Sequence, residues 1–277
     1  MAILVRVTVP DRRPTLRSVA LPAEHGGWGL TLEPGILGVL VAPSPAGVVL
    51  AAAAVLAFLL RTPTRLALLP ILRSGEHSPS PVGQARARLA ARVAVVELLA
   101  VGFALVTVTI LARDSYWIWP LVLAGPMFLV AFFYDLRSES RRLVPEIVGS
   151  VAVAAVAAMA TLAGGGSGAL ALGAWLILSA RVFSSIPHVR AQVRRIHGRE
   201  APPVPGLIGD IAALITAAAA VLLESTLLLG AVAIAGLILV QRITLARPPR
   251  PAKILGLRQM ILGFAVVGTT ALGVWLA

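Results

Sequence analysis

Arg181, Ser184, Ser185 and His188 recur at i, i+3, i+4 and i+7, so a helix running through them carries a single polar stripe on an apolar background. Arg190, Arg194 and Arg195 follow within two further turns. Guanidinium forks, hydroxyls and an imidazole on one face suit recognition of a carboxylate or a phosphate. Two readings compete: an anion-binding surface facing the interior of a bundle, or a helix end reaching a membrane interface. Arg61 and Arg65, one turn apart, form a second basic pair, and Asp135 is the first charge after a long uncharged run. Glu33, Glu97 and Glu146 stand in or at the edge of apolar stretches, with His25 just upstream. An ionisable group inside a bilayer costs about 2.5–3.5 kcal/mol on insertion scales, so each marks an ion pair or a site. For Glu33 and Glu97, pairing with an arginine and a site role weigh equally. Pairing is favoured for Asp135, and capping of a helix start for Glu146. The candidate ligand-binding residues are therefore His25, Glu33, Arg61, Arg65, Asp135, Arg181, Ser185, His188 and Arg190, and no catalytic residue stands out. Metal chemistry is not expected: cysteine is absent, and the four histidines (25, 77, 188, 197) contain no HxxxH spacing.

The elements that must position these residues follow from composition. Of 277 residues, 58% are hydrophobic and 13% charged, about half the usual charged share, and mean hydropathy is +0.92. That excludes both a water-soluble globular enzyme and a disordered basic tail. A helix needs ~20 apolar residues to cross a bilayer. Nine runs come near this requirement: 28–41, 47–60, 89–111, 117–133, 146–163, 169–186, 206–223, 226–240 and 257–276. The first two are short, and the seventh and eighth are separated only by Glu224-Ser225, so eight is the alternative count. The expected fold is an all-α polytopic membrane helix bundle of about nine transmembrane helices. Residues 1–27 form a cytoplasmic N-terminal segment and 28–277 a single transmembrane domain.

Charge placement sets the orientation. The net charge is +12, from 24 Lys and Arg against 12 Asp and Glu. With the N-terminus inside, the inner segments hold 4, 6, 3, 5 and 5 cations, and the outer ones hold Arg113 alone. This positive-inside asymmetry predicts a multi-pass protein of the cell membrane with an extracytoplasmic C-terminus. Tyr116, Trp117, Trp119, Trp28 and Trp275 fall where an aromatic belt is expected. The basic total is thus orientation rather than affinity for nucleic acid. The expected partners are membrane lipids, and the sequence does not fix an oligomeric state.

The first and fifth spans open on a Glu/Pro pair, Glu33-Pro34 and Pro145-Glu146, followed by two aliphatics and a glycine. The second and sixth end on a proline with an arginine two or three residues on, Pro63-Thr64-Arg65 and Pro187-His188-Val189-Arg190. Spans one to four therefore read as an echo of five to eight, in a 4+4 parallel repeat, with chance similarity of apolar sequence as the rival.

The stretch Glu24-His25-Gly26-Gly27-Trp28, with Glu33-Pro34 and Val41-Ala42-Pro43-Ser44, resembles the opening of the YwiC-like family of bacterial membrane proteins. Arg61-Thr62-Pro63, Arg141-Arg142-Leu143-Val144-Pro145-Glu146 and Ser185-Ile186-Pro187-His188-Val189-Arg190 look like later signatures of that family. The resemblance implies a membrane-embedded chain and names no reaction. The architecture is also similar to UbiA-type prenyltransferases: nine spans, an inner N-terminus, and long inner segments after spans two and six. In that family those segments carry Asp-rich motifs that hold Mg²⁺ and an isoprenoid diphosphate. Here 61–92 contains no Asp and only Glu76, 181–205 contains only Glu200, and Asp210 falls just inside the next span. Mg²⁺ is therefore not expected as a cofactor, because it bridges carboxylates to phosphates. Three functions remain open. The first is a UbiA-like bundle whose cytoplasm-facing polar pocket binds an anionic or isoprenoid-type amphipathic lipid, as a degenerate binder or a prenyltransferase-like enzyme of altered chemistry. The second is a transporter of a small anion or organic acid. The third is a non-catalytic membrane scaffold.

Overall fold

The computed structural model describes residues 15–21, 27–72, 81–137 and 139–277. They form ten α-helices and no strand: α1 (Leu16–Ala20), α2 (Gly27–Val41), α3 (Pro45–Leu72), α4 (Pro81–Leu111), α5 (Trp119–Leu136), α6 (Leu143–Ala163), α7 (Gly168–Ile196), α8 (Pro203–Leu223), α9 (Leu228–Leu245) and α10 (Ala252–Leu276). Helices α3 to α10 are long and apolar enough to cross a bilayer. Helix α2, with 15 residues, is a shorter apolar helix of ~22 Å at 1.5 Å per residue. The all-α polytopic bundle expected from the apolar runs is the fold.

Helix α7 stands at the centre, packed against α2, α6, α8, α9 and α10, while α4 sits at the flank on α3 and α1. The flanking helices turn large apolar side chains outward, among them Val96, Leu99, Phe103 and Ile110 of α4 and Val122 and Leu129 of α5. Such a surface is stable against hydrocarbon, where every backbone group must be satisfied within the helix. The interior is made instead of small residues. Ala154, Ala155, Ala157, Ala158 and Ala160 of α6 are buried. A Cβ at Gly38 would run into Ala160 and lie 2.8 Å from the Ala157 carbonyl oxygen, so glycine lets α2 and α6 approach backbone to backbone.

Cross-contacts fix which helix ends lie together. Arg86 of α4 donates to the Ser18 carbonyl of α1, and Arg61 of α3 reaches Asp135 at the end of α5. Arg190 of α7 reaches Glu146 at the start of α6. At the opposite end, Trp275 Nε1 donates to the Leu40 carbonyl, and Arg113 lies against the Gly165 turn between α6 and α7. Apart from Arg181, midway along α7, the arginines of the described helices thus gather at one end, which we call the basic end.

The segments after the second and sixth expected spans are largely helical among the described residues. Helices α3 and α7 continue past the expected ends of their spans, and α4 begins at Pro81, so Arg61, Arg65, Arg190, Arg194 and Arg195 all ride on helices. Helix α7 runs straight through Pro187, whose missing N–H leaves the Phe183 carbonyl without its usual donor. Gly209 of α8 packs against that carbonyl and against the Pro187 ring. Close approach by a neighbouring helix is how a membrane protein tolerates such a break. The two halves share a pattern in which α3–α4 and α7–α8 are paired hairpins, each packed on the preceding helix, and α2 packs on α6. They differ in that α8 packs on α9 whereas α4 and α5 make little contact.

Candidate functional site

The stripe on α7 faces inward: Arg181, Ser184, Ser185 and His188 are all buried. Its period of three and four residues holds one face toward the bundle for two full turns. Arg181 is gripped by Glu33 of α2, with Nε 2.7 Å from Oε2 and Nη2 donating to Oε1 at 2.7 Å. The same Nη2 donates to the Gln259 carbonyl of α10 at 3.0 Å, so one guanidinium ties three helices. Glu33 is 1% exposed and Arg181 3%, too enclosed to meet a ligand from outside. Gly263 makes room for the pair, since a Cβ there would collide with Glu33 Oε1 and Arg181 Nη2.

One turn further along α7, a polar network leads toward the basic end. Ser184 Oγ lies 2.8 Å from Asp210 Oδ1 of α8 and 2.7 Å from Gln241 Oε1 of α9, and its single proton serves one of them at a time. Gln241 Nε2 donates to Ser185 Oγ at 3.0 Å and lies 3.3 Å from Gln259 Oε1. Arg242 donates through Nε to Asp210 Oδ2 at 2.6 Å. Gln192 donates to the Thr244 carbonyl, and Arg195 to the Leu245 carbonyl, fastening the end of α9 to α7.

Above this network is a cavity of about 370 Å³ between α7, α8 and α9, within the range of small-ligand sites. Ser184, His188, Asp210, Gln241, Arg190, Arg194, Arg195 and Arg242 supply its polar lining; Leu143, Pro187, Pro202, Pro203, Pro205 and Leu245 supply its apolar wall. A broader open basin outside it shares Arg194, Arg195, Pro202 and Pro203 and adds Arg199 and Glu200. The cavity is therefore amphipathic, with its cations toward the basic end.

The nine sequence candidates fall into separate places. His188 and Arg190 line the cavity, and Ser185 lies in the network beneath it. Arg190 also donates to Glu146 at 2.9 Å and to the Arg141 carbonyl at 2.6 Å. Glu146 therefore combines its place in the first turn of α6 with an ion pair. Arg181 and Glu33 form the buried clamp. Arg61 grips Asp135 with two hydrogen bonds, at 2.9 and 3.0 Å, and Arg65 stands 4.0 Å from the same carboxylate. That cluster belongs to α3 and α5, apart from the cavity. His25, and with it the Glu24-His25-Gly26 opening, lies outside the described residues, as does His77. Glu97 of α4 is half-buried, and its Oε2 has no hydrogen-bond partner among the described residues.

Asp210, Gln241, Gln259 and Arg242 were not singled out from the sequence. Asp210 carried the one available signal, a carboxylate just inside an apolar run. Among the described residues no group of three or more His, Asp or Glu side chains is placed to hold a metal ion.

No curated protein matches the chain, and no solved structure matches it. The segment from Leu21 through α6 carries the paired Glu33, Arg61, Asp135 and Glu146, and a family model described as YwiC-like protein matches residues 21–163, more than half the chain. The chain belongs to the YwiC-like family.

Proposed function

We propose that this multi-pass membrane protein binds the anionic head group of an amphipathic lipid, isoprenoid-type lipids included, in the α7–α8–α9 cavity. The observation that carries this reading is the two-sided lining: four arginines and a histidine against a wall of proline and leucine. Such a lining matches a molecule that is charged at one end and oily at the other. With 23 of 24 cations assigned to inner segments, the basic end faces the cytoplasm and the ligand enters from that leaflet. The opposite half supports a one-sided site over a transport route, because the alanine face of α6 is tightly buried there. The reading shares with UbiA-type prenyltransferases an amphipathic ligand at the cytoplasmic end of a bundle, without their Asp-rich motifs.

The test is native mass spectrometry of the purified full chain after equilibration with mixed phosphatidylglycerol, phosphatidylcholine and polyprenyl phosphate. Retention of an anionic lipid in preference to phosphatidylcholine, reduced in Arg194→Gln, is expected. Equal retention of the zwitterionic lipid, or no change in the variant, would contradict it.

A further inference from the structure

The charges around the cavity narrow its ligand further. Arg242 is answered by Asp210 and Arg190 by Glu146. Arg199 stands in the outer basin and off the cavity lining. Arg194 and Arg195 have no carboxylate partner among the described residues. They are held by the backbone carbonyls of Glu200 and Leu245, which fix the guanidinium groups without cancelling their charge. His188, 6% exposed and bordering the same cavity, has no hydrogen-bond partner among the described residues. The 21-residue helix α8 begins at Pro203, and Pro202, Pro203, Pro205 and Gly206 line the cavity beside these side chains. A Cβ at Gly206 would meet no atom within 4 Å, so the backbone there borders open space. The positive end of that helix adds to the same field.

Two unanswered guanidinium groups beside a helix N-terminus call for two negative charges on one compact group, more than a single carboxylate or a phosphodiester carries, and the neutral His188 imidazole adds a ring nitrogen for hydrogen bonding. We infer that the cavity takes a phosphate monoester; the inference rests on the anionic-ligand reading above and names the class within it. A lipid phosphomonoester and a soluble phosphate ester present the same dianion to Arg194, Arg195 and His188. The apolar proline wall and Leu245 would then lie against whatever the phosphate esterifies.

The test is isothermal titration of the full chain in a neutral detergent at pH 8, where a phosphate monoester is close to dianionic, its second pKa being about 6. The titrants are dioctanoyl phosphatidic acid, dioctanoyl phosphatidylglycerol, dioctanoyl phosphatidylcholine and glycerol 3-phosphate. Phosphatidic acid is expected to bind at least about tenfold more tightly than phosphatidylglycerol, and Arg194→Gln to weaken it by about tenfold or more. Arg247→Gln, the same charge change at the same end but off the cavity lining, should alter it less than about twofold. His188→Phe provides a second cavity variant that leaves the Arg195 tie to α9 intact, and it should also weaken phosphatidic acid. Binding of phosphatidic acid alone assigns the ester to a lipid; equal binding of glycerol 3-phosphate assigns it to a soluble compound, and either supports the monoester. Equal affinity for phosphatidic acid and phosphatidylglycerol would overturn the monoester and leave the anionic-lipid reading standing. No anion binding above phosphatidylcholine would overturn both.

Discussion

The residue that organises the interior is Arg181. Removing one partner of a buried, hydrogen-bonded ion pair leaves the other charge stranded, which costs roughly 3–5 kcal/mol, whereas replacing both with apolar groups is often neutral. Glu33→Gln and Arg181→Met should each lower thermal stability strongly, and the double variant Glu33→Leu/Arg181→Met should recover much of the loss. A double-mutant cycle by thermal unfolding in detergent checks this, and strict additivity would show that the pair is not coupled. The polar stripe was legible in the sequence because helical period alone places Arg181, Ser184, Ser185 and His188 on one face. What that face meets was not legible. Glu33 is 148 residues from Arg181, and nothing local to either residue specifies the other. The same holds for Arg61 and Asp135, 74 residues apart. Asp210, Gln241 and Gln259 were missed because single polar residues in apolar runs acquire meaning only when three helices bring them together.

At the scale of elements, the unbroken α7 gives the site its shape. A helix that stopped at Pro187 would leave Arg190, Arg194 and Arg195 on a loop, and no cavity would form between α7, α8 and α9. Continuation through Pro187 depends on the close approach of Gly209, one residue before Asp210. Gly209→Val would force α8 away from the Phe183 carbonyl, at about 1–3 kcal/mol for an overpacked core position, and would displace Asp210 from Ser184. The expected result is a lower unfolding temperature together with weaker ligand binding. Gly206→Ala, three residues earlier and facing open space, should leave stability unchanged or slightly raised, since alanine favours a helix by about 1 kcal/mol over glycine. The positions of the apolar runs were legible from hydropathy. The helical extensions of α3 and α7 were not, because arginine and proline at a run's end read as a boundary unless neighbouring helices are known to hold the chain.

At the scale of the whole molecule, the bundle is asymmetric from end to end, with a basic, cavity-bearing end and a sealed, alanine-packed one. The chain contains no cysteine, so single cysteines can be introduced one at a time without background. A cysteine at Arg199 or Arg247 should react with an impermeant thiol reagent only in inverted vesicles, and one at Asp114 only in intact cells. The reverse pattern would place the cavity on the outer face. The central claim is that an anionic amphiphile sits between α7, α8 and α9. The most direct measurement is photocrosslinking with a phosphatidic acid that carries a diazirine beside the phosphate, followed by peptide mapping. Adducts concentrated at 184–206 and 241–245, and lost in Arg194→Gln, are the predicted result. Adducts spread over the outward faces of α4 and α5, and unchanged in the variant, would contradict it.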